Sequence, residues 1–212
     1  MIYAENILIC IAIPLLIALF FTEKGTRRFI GSFLMGMVIC LLSAYISGFV
    51  NYVTGSGNDV TAVYFSPVIE EIMKLLPLLF YMFVFEPDEN RMITASLGMG
   101  LGFATFENCC YILGSGAERF TYILIRGMAV GVMHLVCALA LVIGLCLTRR
   151  YGVLSIPGVI GSLTLSMIFH GLYNLLVSEP GFSSYVGYLM PVVAAVFLYF
   201  SYRRILRIGK ST

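Results

Sequence analysis

The stretch FTYILIRGMAVGVMHLVCALALVIGLCL (120–147) contains Arg126 and His134 but no other charged or histidine side chain. The hydrocarbon core of a bilayer is about 30 Å thick, and a helix crosses it with roughly 20 apolar residues. The stretch is therefore long and apolar enough to cross a membrane as one helix. Only helices and closed barrels satisfy their backbone hydrogen bonds in lipid, and the sequence lacks the alternating strands of a barrel. It predicts an all-α membrane protein.

The composition of the whole chain agrees with that fold class. Of its 212 residues, 60% are hydrophobic and 11% are charged, whereas soluble domains contain about 25% charged residues. A soluble globular domain is therefore excluded, and we expect one integral membrane domain over residues 1–212. The net charge of +2 gives no indication of a nucleic-acid partner, because the basic residues are distributed as a topology signal.

Clusters of charged residues, glycine and proline divide the chain into seven apolar segments. The segments are residues 3–21, 29–50, 63–85, 92–113, 120–147, 153–176 and 185–202. Cytoplasmic loops are rich in Lys and Arg. With the N-terminus outside, ten of the 13 Lys and Arg residues lie on the inner side, Arg119 lies outside and two lie within spans. We therefore expect about seven transmembrane helices, an external N-terminus and a cytoplasmic C-terminus.

Two sets of small residues have a structural interpretation. The six cysteines fall within apolar segments and lack the spacing of a disulfide framework or a metal site, so we expect them to pack as small core residues. Gly98, Gly100 and Gly102 leave one side of their segment without side chains, which lets a neighbouring helix approach closely.

Ionisable side chains inside the spans are the most informative feature of the sequence. A charge near the centre of a span costs about 2.5–3.5 kcal/mol, so these groups must be paired with one another or with a metal. The segment assignments bring them from four helices to the outer half of the bilayer, which predicts a polar pocket that opens outward. The residues are Glu70, Glu71, Lys74, Glu107, Arg126, His134 and His170.

The local spacing of these residues indicates pairs on helix faces. In PVIEEIMK (67–74), Glu70 and Lys74 are four residues apart, in the favourable order with the acid first. Glu71 points about 100° away, so one glutamate can hold the lysine while the other faces the pocket. In HGLYN (170–174), His170 and Asn174 are also four apart, and Asn174 can orient the imidazole or bind a substrate carbonyl.

The same residues have the composition of a catalytic metal site. Two histidines and a glutamate with an open fourth position are the ligands of many catalytic zinc ions. Glu107, His134 and His170 are the candidate ligands by depth and composition. A further glutamate, Glu70 or Glu71, would activate water as the general base.

Four motifs carry a resemblance to a known family. They are EExxK at Glu70, Glu71 and Lys74, FAxxEN at Phe103, Ala104, Glu107 and Asn108, Arg126 followed by His134, and HxxxN at His170 and Asn174. This ordered set, over about residues 67–174, resembles the PrsW family of intramembrane proteases. That family is related to the CAAX prenyl endopeptidases and bacteriocin-processing enzymes. Lys74 and Glu107 depart from the prenyl-endopeptidase branch, so prenylated substrates are not favoured.

The resemblance implies a function for these positions. It implies cleavage of a single-pass, membrane-anchored protein, typically an anti-sigma factor, near the outer boundary of a bacterial plasma membrane. This is the first cut of regulated intramembrane proteolysis in a stress response, with Zn²⁺ as the implied cofactor. Catalytic roles would fall on Glu70, Glu71, Glu107, His134 and His170. Supporting or substrate-binding roles would fall on Lys74, Phe103, Asn108, Arg126 and Asn174.

Three alternatives stay open at this stage. In a metal-free peptidase of the same superfamily, a glutamate activates water while histidine and asparagine hold the oxyanion. Intramembrane Glu, His and Arg also build proton relays, so a small proton or ion transporter is a second alternative. The third is a non-catalytic scaffold in which the cluster is purely structural.

Overall fold

A computed structural model of the chain describes residues 4–115, 120–151 and 155–208. Within these ranges the regular structure is entirely helical, with no strand, and the all-α prediction is confirmed. The helices are α1 (Ala4–Phe21), α2 (Lys24–Thr54), α3 (Asn58–Val60), a π-helical turn (Thr61–Phe65), α4 (Ser66–Phe85), α5 (Glu89–Ser115), α6 (Phe120–Tyr151), α7 (Ser155–Ser178) and α8 (Phe182–Ile208).

The long helices correspond to the apolar segments of the sequence. Five of those described, α1, α2, α6, α7 and α8, are long and apolar enough to cross a membrane. The chain is therefore a multi-pass membrane protein, while the count of seven spans and the orientation of the termini stay predictions. Both α4 and α5 lie outside this set, and α4 carries Glu70, Glu71 and Lys74 within its length.

One face of helix α4 packs against α2, α5, α6 and α7, while the other face, which includes Leu76 and Phe80, is exposed and apolar. This position explains how a helix with three charged side chains fits among apolar ones, because its neighbours supply the polar partners. Glu71 and Lys74 are fully buried. Toward the C-terminal end of α4, Leu75 and Leu78 belong to an apolar cluster with Met99 and Leu141.

Glycines allow α5 to pack very closely against two neighbours, whereas the sequence predicted a close approach on one side only. A Cβ atom on Gly102 would lie 2.0 Å from the carbonyl oxygen of Phe33, and one on Gly36 would lie 2.1 Å from that of Met99. On the other side, a Cβ atom on Gly100 would lie 3.0 Å from the carbonyl oxygen of His134. These contacts fix α5 against α2 and α6.

The cysteines follow the sequence-based expectation only in part. All six are free thiols. Cys40 and Cys137 are buried in the bundle, whereas Cys10 is exposed on α1. An apolar segment indicates burial either in protein or in lipid, and composition alone does not separate the two.

Candidate active site

Four helices bring the predicted polar residues together in one connected cluster. Glu70, Glu71 and Lys74 come from α4 and Glu107 from α5, while Arg126 and His134 come from α6 and His170 from α7. Each of these side chains contacts at least one other member. The ionisable side chains are therefore paired with one another, as the cost of unpaired intramembrane charge predicted.

The centre of the cluster is a buried ion pair between Lys74 and Glu71. Lys74 Nζ lies 2.7 Å from Glu71 Oε1, and both side chains are inaccessible to solvent. The same Nζ lies 2.7 Å from Nδ1 of His134 and 4.2 Å from the centre of the Phe103 ring. Phe103 also packs against the His134 ring, with 4.7 Å between the centres. Phe103 therefore packs beside the charged groups and covers one side of them.

The partner of Lys74 differs from the one that the spacing favoured. Glu70 precedes Lys74 by four residues, but Lys74 pairs with Glu71, three residues before it. Both spacings bring side chains together on a helix, so the surroundings decide. Oε1 of Glu71 also lies 2.8 Å from Nδ1 of His170. This second partner holds the Glu71 carboxylate in the interior.

Glu70 has a contrasting environment. No described residue donates a hydrogen bond to it, and its Oε2 atom is buried without a partner, as is Oε2 of Glu71. Nε2 of His170 lies 3.8 Å from Oε2 of Glu70. A buried carboxylate oxygen without a donor is costly, so this atom is suited to a water proton or a cation.

His134 connects the buried ion pair to the edge of the cluster. Its Nε2 atom lies 2.5 Å from Oε2 of Glu107. The other oxygen of Glu107, Oε1, lies 3.7 Å from Nη2 of Arg126. Through these contacts, a continuous chain of polar side chains runs from Glu71 in the interior to Arg126.

Arg126 is held by two further residues. Its Nη1 atom donates to Oδ1 of Asn108 at 2.5 Å, and its guanidinium lies 3.4 Å from the centre of the Tyr111 ring. A planar guanidinium stacks on an aromatic face and donates in a fixed geometry. Asn108 thus supports Arg126, which in turn borders Glu107.

Asn174 does not orient His170. Its Nδ2 atom donates to the carbonyl oxygen of Ala62 at 2.9 Å, within the π-helical turn Thr61–Phe65. Helix α7 also approaches this turn at Gly171, where a Cβ atom would lie 3.7 Å from the carbonyl oxygen of Val63. Asn174 therefore fastens the segment that leads into α4, and π-helical turns are common at functional sites.

A cavity of about 760 Å³ leads to this cluster and includes Glu107, Arg126 and Asn174 in its wall. Its tyrosines were not singled out from the sequence. A sequence signal existed, since Tyr111 follows Glu107 by four residues and Tyr122 precedes Arg126 by four, and such pairs share a helix face. The tyrosines of the wall are Tyr64, Tyr111, Tyr122, Tyr173 and Tyr188.

A group of three side chains in the cluster can hold a metal ion. One ligand atom each from Glu70, His134 and His170 lies within 4.8 Å of the others. The group shares both histidines with the predicted ligand set but contains Glu70 where that set has Glu107. Glu107 as a ligand stays a prediction.

The chemistry of the donors fits a cation at two of the three side chains. Glu70 has its unpartnered Oε2 atom, and His170 directs one ring nitrogen to Glu71 while the other faces Glu70. A carboxylate on the far nitrogen is the usual support of a metal-binding histidine. His134 has a close neighbour at both nitrogens, so it can bind a metal only after leaving Lys74 or Glu107.

Comparisons with known proteins identify a family for the chain. A search of curated proteins and a search of solved structures each gave no match. The sequence model of one family, described as PrsW family intramembrane metalloprotease, matches residues 24–201. That range contains every polar residue of the cluster and leaves α1 outside. The chain belongs to the PrsW family.

Proposed function

We propose that the chain is an intramembrane endopeptidase that cleaves a single-pass, membrane-anchored protein near the outer face of a bacterial plasma membrane. The observation that carries this proposal is the connected cluster, in which Oε1 of Glu71 is held by Lys74 and His170 while no described residue donates a hydrogen bond to Glu70. An anti-sigma factor is the proposed substrate, cut as the first step of a stress response. The partners are this substrate and the lipid bilayer, with no role for nucleic acid.

The proposed topology places the cluster on the outer side. The split of ten inner basic residues against Arg119 supports seven spans with an external N-terminus. Helices α4 and α5 then cross the membrane with their charged faces toward neighbouring helices rather than lipid. In this orientation the cavity beside Glu107 and Arg126 opens outward and admits both water and substrate.

Peptide hydrolysis needs a proton acceptor, and we assign this role to Glu70 in the metal-free arrangement. The oxygen of water adds to the carbonyl carbon, its proton passes to Glu70, and the bond from carbon to nitrogen breaks as that proton reaches the leaving amine. Glu71 is less suited to this role, because its side chain is inaccessible to solvent and its Oε1 atom already accepts from Lys74 and His170. Positioned acids and bases of this kind contribute about 10²–10⁴ to a rate.

Zn²⁺ is the proposed ion, with Glu70 and His170 as the residues that would hold it. A carboxylate and an imidazole are ordinary zinc ligands, and these are the two members of the group with a lone pair that no described residue occupies. When bound, the ion would polarise the carbonyl and the attacking water. Glu107, in the cavity wall, is then the carboxylate left to accept the proton.

The metal-free arrangement is favoured by one specific observation. Lys74 and Glu107 lie 2.7 Å and 2.5 Å from the two nitrogens of His134, which leaves no lone pair of this ring for a metal. The two versions differ in one measurable property, the sensitivity of cleavage to a chelator. Both require the Glu70 carboxylate.

The test is reconstitution of the purified chain in liposomes with single-pass anti-sigma factors of its native host. We expect one of them to be cut in wild type and left intact by Glu70→Gln. Arg91→Gln is the matched control, because Arg91 pairs with Asp88 at the surface. Equal cleavage by wild type and Glu70→Gln would refute the proposal. Proton flux through the same vesicles, lost in Glu107→Gln, would instead support a transporter.

A further inference from the structure

We propose that Lys74 is a positioning residue that fixes the ring proton of His134 on Nε2, so that His134 and His170 have opposite tautomers. His134 then offers an N–H toward Glu107, and His170 offers a lone pair toward Glu70. The assignment of the two tautomers rests on the hydrogen bonds alone. The part that each ring takes in cleavage rests on the proposed function.

The first step concerns the contact between Lys74 and His134. As the ion-pair partner of Glu71, Lys74 is an ammonium group, which has three donors and no acceptor. Its Nζ lies 2.7 Å from Glu71 Oε1 and 2.7 Å from His134 Nδ1. Nδ1 must therefore accept, and the proton of the neutral ring is on Nε2.

The other side of the His134 ring agrees independently. Nε2 lies 2.5 Å from Oε2 of Glu107, and an ionised carboxylate only accepts. Arg126 stands 3.7 Å from the second oxygen of Glu107, as expected for a charged carboxylate. Both neighbours thus require the Nε2–H form of His134.

His170 has the reverse arrangement. Its Nδ1 atom lies 2.8 Å from Oε1 of Glu71, the same oxygen that accepts from Lys74. Because that carboxylate is an acceptor, Nδ1 of His170 carries the proton and Nε2 has the lone pair. Nε2 lies 3.8 Å from the unpartnered Oε2 of Glu70, so two acceptors face each other with a place for a water or a cation beside them.

The consequence is that one buried ion pair assigns different roles to two rings whose centres are 5.0 Å apart. His134 is a donor on the side of Glu107, which borders the cavity. A substrate carbonyl that displaces Glu107 would accept a hydrogen bond from this N–H. His170 and Glu70 would instead accept a proton. Without Lys74, only Glu107 holds the proton on Nε2, so a substrate that displaces Glu107 would meet a ring that can turn its lone pair toward the cavity.

Nitrogen-15 NMR of histidine-labelled protein tests the inference directly, because the chain has only two histidines. Chemical shifts separate protonated from unprotonated ring nitrogens, and His134→Gln identifies which signals belong to His134. We expect the protein as purified to contain one Nε2–H ring, His134, and one Nδ1–H ring, His170. A His134 ring that is protonated on Nδ1, protonated on both nitrogens or bound to a metal would overturn the proposal.

Lys74→Met then tests whether Lys74 is the cause. We expect part of the His134 population to shift to the Nδ1–H form, because only Glu107 remains to hold the proton on Nε2, and cleavage to fall about 100-fold or more. Leu78→Met, one turn further along α4 and equally buried, is the control and should keep both signatures. Because Lys74→Met leaves Glu71 unpaired, Glu71→Gln/Lys74→Met provides a neutral background in which His134 should change while His170 keeps Nδ1–H. An unchanged His134 in either variant would contradict the role of Lys74.

The two readouts separate this inference from the proposed function. Altered tautomers in a chain that never cleaves a protein would leave the role of Lys74 intact and refute the peptidase. Normal cleavage by Lys74→Met with unaltered tautomers would refute the role of Lys74 and leave the peptidase intact.

Discussion

Glu70 and Glu71 are adjacent in the sequence, but only the carboxylate of Glu71 is held by hydrogen bonds. Oε1 of Glu71 lies 2.7 Å from Lys74 Nζ and 2.8 Å from His170 Nδ1, whereas no described residue donates to Glu70; Oε2 of each glutamate is buried without a partner. Successive residues of a helix point about 100° apart. Glu71 is therefore fixed in the hydrogen-bond network through Oε1, whereas Glu70 is outside it and its side chain is 16% exposed.

This contrast predicts different effects of two conservative substitutions. Glu70→Gln should lower cleavage by at least about 100-fold while leaving the thermal unfolding of the detergent-solubilised protein nearly unchanged. Glu71→Gln should lower both the cleavage rate and the unfolding temperature. It leaves the buried ammonium of Lys74 without its counter-ion, which lowers the free energy of unfolding by about 3–5 kcal/mol. Paired activity and unfolding measurements check this. Equal loss of stability in both variants would show that the two carboxylates are equivalent.

Metal content distinguishes the candidate ligand sets. If Glu70 and His170 hold an ion, the purified wild type should contain about one zinc per chain, and Glu70→Ala and His170→Ala should lose it. Glu107→Ala should retain it. Mass spectrometry of the metals measures all four proteins. Loss of zinc in Glu107→Ala with retention in Glu70→Ala would restore the set of Glu107, His134 and His170.

Arg126 should affect cleavage through Glu107. Arg126→Gln removes the cation beside Glu107 and the stack on Tyr111, and displacement of a reacting group by about 1 Å costs about 100-fold. Arg126→Lys keeps the charge and should lose less activity, because it lacks only the planar, stacked geometry. Initial cleavage rates check the order of the two variants. Full activity of Arg126→Gln would place this residue outside the mechanism.

The close packing of α2 on α5 can be tested with two glycines of the same helix. Gly36→Ala places a Cβ atom 2.1 Å from the carbonyl oxygen of Met99, whereas the matching atom of Gly31→Ala has no neighbour within 4 Å. Overpacking of this kind costs about 1–3 kcal/mol. We expect Gly36→Ala to lower the unfolding temperature and Gly31→Ala to leave it unchanged. Similar unfolding temperatures would contradict the contact.

Much of the fold and of the site was predictable because lipid restricts both. The length of the apolar segments alone predicts the long helices. The glycines from Gly98 to Gly102 predicted that α5 would pack closely against a neighbouring helix. Intramembrane charge is costly, so the ionisable residues pointed to one cluster before any geometry was known. Their number was small enough to name each candidate.

The pairing inside the cluster was not predictable, for a physical reason. Lys74 can reach either Glu70 or Glu71 on its own helix, and the rotation of α4 relative to His134 and His170 decides between them. The partner of Asn174, the carbonyl of Ala62, lies in a π-helical turn that apolar periodicity does not distinguish from an α-helix. Such contacts depend on tertiary packing rather than on spacing.

The account is tested most directly by mapping new protein N-termini in membranes of the native host. Membranes from cells that lack the chain would receive purified wild type or Glu70→Gln in nanodiscs, followed by N-terminal labelling and mass spectrometry. We predict that wild type alone generates a new N-terminus in a single-pass protein, within or next to the outer end of its span. Identical sets of N-termini from wild type and Glu70→Gln would contradict a peptidase that uses this site.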